Sequence, residues 1–145
     1  MERDPQRTIV VGVDGSDGAR RALDWAIEIA KATGQRLELV HGIDVGVAAS
    51  SPYGSGMVFE QLEEAGRSLL EADVDYVRAA GLEVTGQLDL GSSAQAILTA
   101  AKHASMLVLG SRGHGGFAGL MMGSVSMYCV HHAHCPVVVV PPPER

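Results

Sequence analysis

The chain has no excess of positive charge: 11 Lys and Arg stand against 17 Asp and Glu, for a formal net charge of −6. A general DNA or RNA binder presents a basic face, so this composition argues against that class. Only two cysteines occur in the 145 residues, Cys129 and Cys135, too few to staple a secreted domain of this size. They read as reduced thiols of a cytoplasmic protein. The opening MERDPQR carries mixed charges and no apolar core, so no secretory signal is expected. No apolar run approaches the ~20 residues that span a bilayer, so no membrane association is expected. Familiar catalytic patterns are also missing. Met122-Gly123 stands before Ser124 where a P-loop requires Gly-Lys. Gly113, Gly115 and Ala118 satisfy G-x-G-x-x-A, but no Asp or Glu follows about 20 residues on to hold a ribose, which excludes a nicotinamide enzyme. No Ser-His-Asp or Cys-His set can be placed at one site.

What is present is a strict alternation. Thr8 to Val13 is a β-branched run that ends in Gly and Asp, as buried parallel strands do. Ser16 or Asp17 can cap the helix that follows. Ala19, Ala22, Leu23, Ala26, Ile27 and Ala30 recur on one face of it, and Gly34 ends it. RLELVHGID is a second strand. A polar segment, DVGVAASSPYGSG (44–56), precedes a long amphipathic helix predicted over 57–80. Its expected core face is Val58, Leu62, Ala65, Leu69 and Val77, and Gly81 stops it. LEVTGQLDLG is a third strand, followed by a helix capped by Ser92 or Ser93 that buries Ile97, Leu98 and Ala101. SMLVLG is a fourth strand. A helix over 124–134 and a fifth strand, CPVVVV, close the pattern before a proline-rich tail. This order predicts one α/β domain over 1–145, with tails at 1–6 and 141–145, and a parallel sheet covered on both faces. Ligands of such sheets sit beyond the carboxyl ends of the strands, where strand order reverses.

Two strand ends carry suitable chemistry, GVDGS after the first and GSRGHGG after the fourth. Six of the fourteen residues from Gly110 to Gly123 are glycine. Glycines at a strand-to-helix turn let consecutive backbone N–H groups converge on one anion. The next helix adds its free amides and positive dipole end, and Ser124 and Ser126 add hydroxyls. This set suits a di- or triphosphate. A merely mobile surface loop is the alternative, and the strand before and helix after weigh against it.

Gly110, Gly113, Gly123 and Ser124 together read G-x2-G-x9-G-[ST]. This spacing resembles the nucleotide-binding signature of the universal stress protein family, in its ATP-binding branch. IVVGVDGS, LELVHGID, GSSAQAIL and HHAHCPVVVV are similar to other segments of that family, so the resemblance covers nearly the whole chain. Two positions depart from it: Ser105-Met106 stands where an acidic residue is usual, and Ser93 where Pro is frequent. The resemblance implies a three-layer α/β/α fold of the Rossmann-like, adenine nucleotide alpha hydrolase-like kind, with a five-stranded parallel sheet in the order 3-2-1-4-5. It implies a homodimer joined through the C-terminal strand, whose bare apolar edge PVVVV would otherwise be an aggregation hazard. It implies ATP with Mg2+ as ligand. Carried over by position, Gly12, Val13 and Asp14 line the adenine and ribose end, Gly42 meets adenine through its backbone, and Leu109 and Gly110 flank the ribose. Arg112, Gly113, Gly123, Ser124, Val125 and Ser126 hold the phosphates. Asp14 can accept from a ribose hydroxyl, and Arg112 can pair with phosphate. Their plain alternatives are a helix cap and a solvated arginine. His114 reads as an exposed loop histidine.

His131, His132, His134 and Cys135 form a second cluster. His131 and Cys135 are four apart, so on a helix both would face one metal, but a zinc site needs three or four converging ligands. Histidines at a helix C-terminus also complement its dipole, so no metal is expected here. Cys129 reads as core. A nucleotide cradle with so little catalytic equipment predicts a regulatory stress protein, with hydrolysis slow if it occurs. Other functions compatible with the residues are a slow ATPase or phosphotransfer protein, a sensor of cyclic AMP or another adenine nucleotide, and a nucleotide-independent interaction module. The intact glycine signature weighs against the last.

Overall fold

A computed structural model describes residues 7–44, 55–112 and 122–143. Among the described residues nine elements alternate: β1 Thr8–Gly12, α1 Asp17–Thr33, β2 Arg36–Asp44, α2 Ser55–Ala79, β3 Val84–Gly91, α3 Ser93–Ala101, β4 Met106–Gly110, α4 Ser124–His132 and β5 Val137–Val140. The strands form one parallel sheet in the order β3-β2-β1-β4-β5, as the resemblance implied. β1 is central and buried along its whole length, which is why its sequence is apolar on both faces. Strand order reverses between β1 and β4, so the loops after these two strands open on one crevice.

Side-chain alternation sorts the core into two layers. Ile9, Val11, Leu37, Leu39 and Val108 pack under α1 and α2. Val10, Val40, Leu107 and Leu109 pack under α3 and α4, against Ala96, Ile97, Ala101 and Cys129. The predicted face of α1 is buried at all six positions, Ala19 to Ala30. Small residues there let the helix lie close to the sheet. Ser16 is its N-cap, accepting from the Ala19 N–H at 3.2 Å, and Gly34 ends it in the left-handed conformation, φ 67°.

The expected face of α2 requires correction. Ala65 is exposed, and the buried line runs through Gly66, Leu70, Asp73 and Val77. The helix is rotated because Gly66 sits over β2, where a Cβ would lie 3.0 Å from His41 Cδ2 and 3.2 Å from Ile43 Cδ1. The remaining differences are at ends. α4 stops at His132 and β5 begins at Val137, so Cys135 is not on the helix. His131 and Cys135 therefore do not share a helical face. Among the described residues no group of three or more His, Cys, Asp or Glu is arranged to hold a metal. Cys129 is fully buried, and burial pushes its thiol up to about 11. It is expected to resist alkylation in the native protein at pH 8; rapid modification, followed by mass spectrometry, would contradict that burial. No helix among the described residues is long and apolar enough to cross a membrane.

Candidate functional site

The first wall of the crevice is the turn after β1. The Val13 N–H donates to the Val40 carbonyl at 2.9 Å, extending the β1–β2 ladder by one residue. Asp14, partly buried, follows at the strand end. Its Oδ1 accepts from the Ser16 N–H at 2.9 Å and from the Ser16 hydroxyl. Gly15 takes φ 80°, which turns the chain into α1. Asp14 is therefore not the N-cap itself; its Oδ1 braces Ser16, which is. Oδ2 has no protein partner among the described residues, and it leaves Asp14 one acceptor to offer.

The second wall is the end of β4. The buried Ser111 donates its N–H to the Val140 carbonyl at 3.0 Å and accepts from the Gly123 N–H at 2.6 Å. This pair of bonds closes the base of the glycine-rich segment. Sequence reasoning overlooked Ser111, although it lies inside the signature. Ser126, 5% exposed, donates its hydroxyl to the Gly110 carbonyl at 2.7 Å, tying the first turn of α4 to β4. Its side chain thus holds the helix in place; its amide remains at the helix mouth. Arg112 is half-buried, and no carboxylate among the described residues pairs with it. Gly113, His114, Gly115 and Ala118 lie outside the described residues, as does most of segment 44–56.

The glycines at strand ends have packing roles. A Cβ on Gly110 would stand 2.7 Å from the Gly18 carbonyl carbon and 3.1 Å from the Ala19 nitrogen. A Cβ on Gly42 would stand 2.5 Å from Ser93 Cα, and one on Gly12 2.7 Å from Leu109 Cδ2. Gly110 admits the start of α1, Gly42 the start of α3, and Gly12 the side chains beneath α3. The Gly42 carbonyl also accepts from the Ser93 hydroxyl at 2.9 Å. Val13 and Leu109 are buried core residues, while Gly123, Ser124 and Val125 stand at the mouth of α4 with partial or full exposure.

Three described helices begin at this edge of the sheet with defined N-caps, and they differ in how their first amides are satisfied. α1 has Ser16. α3 has Ser92, accepting from the Gln95 N–H at 3.4 Å, and Asp44, accepting from the Ser93 N–H at 3.0 Å. α4 has Gly123 at its N-cap and no side-chain cap bond. A helix N-terminus leaves up to four N–H groups without helical partners. Among the described residues the amides of Ser124, Val125 and Ser126 find no acceptor, and they stand at the positive end of the helix dipole.

Asp73 is a charged group that sequence reading missed. It is 7% exposed on the sheet-facing side of α2 and pairs with Arg20 of α1 at 3.0 Å. Arg20 in turn stacks on the Tyr76 ring at 4.1 Å, and the Tyr76 hydroxyl donates to Asp24 at 2.6 Å. Burial raises the Asp73 carboxyl above the usual aspartate range, against the opposing pull of Arg20. A raised folded value means that the native state binds more protons, so Asp73 lowers stability as pH rises from the ordinary aspartate value through the folded one. Asp73→Asn is therefore expected to keep or raise the melting temperature at pH 7, and to lose that advantage as the pH falls toward 4. A large loss at pH 7 would show instead that the Arg20 pair outweighs desolvation.

The comparisons with known proteins agree with this architecture. The model of the universal stress protein family matches residues 6–141. The chain belongs to the universal stress protein family. A universal stress protein of Thermus aquaticus is 37% identical, with 92% of this chain and 98% of that one covered. One of Mycobacterium tuberculosis is 32% identical over 94% of this chain and 49% of its own length. The chain thus spans about half the length of the mycobacterial relatives that it matches. Among solved structures, a universal stress protein in complex with cAMP superposes with TM-score 0.69 at 26% identity, covering 94% of this chain and 97% of that one. A family protein from Arabidopsis thaliana with AMP bound gives TM-score 0.65 at 25% identity, covering 94% and 92%.

Proposed function

We propose that this universal stress protein binds an adenine nucleotide, ATP with Mg2+ in the first instance, in the crevice between the ends of β1 and β4. The observation that carries the reading is the mouth of α4, the described N-cap at this edge that offers its amides with no side-chain cap. A phosphate supplies the acceptor oxygens those amides lack, and Arg112 supplies a countercharge. Asp14 Oδ2 accepts from a ribose hydroxyl at the other end of the crevice. The described residues fit the ligand at these points. The magnesium ion travels with the triphosphate and neutralises part of its charge. The family relatives solved with AMP and with cAMP support an adenine ligand for this chain, and they make cyclic AMP the second reading.

The first turn of α4, Ser124-Val125-Ser126, carries neither lysine nor carboxylate. That equipment suits binding better than rapid phosphoryl transfer, which needs groups to orient water and neutralise developing charge. We assign the protein a regulatory role in which the nucleotide state is read by partners. Homodimerisation through β5 fits the sheet, because among the described residues β5 pairs only with β4 and forms an edge of the sheet. Titration calorimetry with Mg–ATP, and competition by AMP and cyclic AMP, tests the binding. Asp14→Ala is expected to weaken ATP about tenfold, the loss of one hydrogen bond to a charged acceptor. Unchanged affinity in the folded variant would reduce Asp14 to its role in the α1 cap.

A further inference from the structure

Gly66 lies in the middle of α2, a 25-residue helix. A helix-interior glycine costs about 1 kcal/mol relative to alanine. What fills the space is the imidazole of His41: a Cβ at Gly66 would lie 3.0 Å from Cδ2 and 3.2 Å from Nε2. The opposite edge of the ring is fixed too. Nδ1 stands 2.7 Å from the Val13 carbonyl, which can only accept, so Nδ1 carries a proton. Nε2 has no partner among the described residues. The groups around the ring can be named by element. β1 presents the Val13 carbonyl, with Asp14 next along the chain. β3 presents the apolar Leu88, its register partner. α2 presents Gly66 and, two turns on along the same face, the buried Asp73, which is paired with Arg20 of α1. The Glu63–Arg67 pair of α2 faces solvent and neutralises itself. Asp73 feels the charges of both His41 and Asp14.

We propose that His41 is a positioning residue for the nucleotide, holding the Val13–Asp14 peptide so that the Asp14 carboxylate meets the ribose. This rests on the nucleotide reading above. The Nδ1–H donates to the Val13 carbonyl and so fixes the peptide that leads into Asp14.

The test compares wild type with His41→Asn, which keeps a donor near the Nδ1 position, and with His41→Leu, which has none. Melting temperatures establish that each is folded. Calorimetric titration with Mg–ATP at pH 8 should show a loss of ~10-fold in His41→Leu, one buried hydrogen bond's worth, largely recovered in His41→Asn. Without nucleotide, ring 15N shifts should show the Nδ1–H tautomer in the neutral form. Equal affinity in His41→Leu, no recovery in His41→Asn, or an Nε2–H tautomer would overturn the assignment while ATP binding stood. Failure of the wild type to bind any adenine nucleotide would overturn the functional reading itself, and this inference with it.

Discussion

Gly110→Ala is expected to destabilise the protein by about 3 kcal/mol or more, at the upper end of what overpacking costs. The new Cβ would meet backbone: 2.7 Å to the Gly18 carbonyl carbon, 2.8 Å to its oxygen and 3.1 Å to the Ala19 nitrogen. None of these atoms can rotate away, so α1 must lift from the sheet, and α1 covers the centre of one core layer. Gly12→Ala is the matched control. Its Cβ would meet Leu109 Cδ2 at 2.7 Å and Ile97 Cδ1 at 3.0 Å, the ends of side chains that can adjust. A cost of about 1 kcal/mol is expected there. Urea unfolding of both variants measures the difference. Equal midpoints for Gly110→Ala and wild type would show that α1 does not lie against β4 as described.

Gly123→Asp is expected to separate stability from binding. Gly123 has φ −79° and ψ 170°, an extended conformation open to any residue. Aspartate is a preferred N-cap, and replacing glycine there gains a few tenths of a kcal/mol. The same carboxylate would take the amides of α4 and repel a phosphate. Charge-assisted hydrogen bonds contribute roughly 1.5–3 kcal/mol each, so ATP affinity should fall at least tenfold, and a hundredfold where two are lost. A variant that is more stable yet does not bind distinguishes a phosphate site from a merely structural helix start.

Much of this was legible in the sequence because it is local. The apolar run of β1, the Ser16 and Ser92 caps, and Gly34 and Gly81 at helix ends each follow from the chemistry of a few adjacent residues, and the alternation of elements then dictated the layers. The resemblance added the strand order. What was not legible is what passes between elements. Gly12, Gly42 and Gly110 entered only as residues that the resemblance places around the nucleotide; that their missing side chains make room for α1, α3 and buried leucine and isoleucine depends on contacts between elements. The face of α2 was misplaced at Ala65 because its true line includes a glycine and a buried aspartate, which hydrophobic periodicity does not count. Gly66 inside a helical pattern was the available signal. The uncapped start of α4 stands out only by comparison with α1 and α3, whose caps include an Asp44 contributed from the end of β2.

The central claim is that the mouth of α4 holds a nucleotide's phosphates, and Mg–ATP titration of the wild type beside Gly123→Asp tests it most directly, with the melting temperature of each recorded. Saturable binding by the wild type, lost in a variant that melts at the same temperature or higher, is the expected result. Equal binding by both would place the nucleotide elsewhere, and no binding by either would contradict the site altogether.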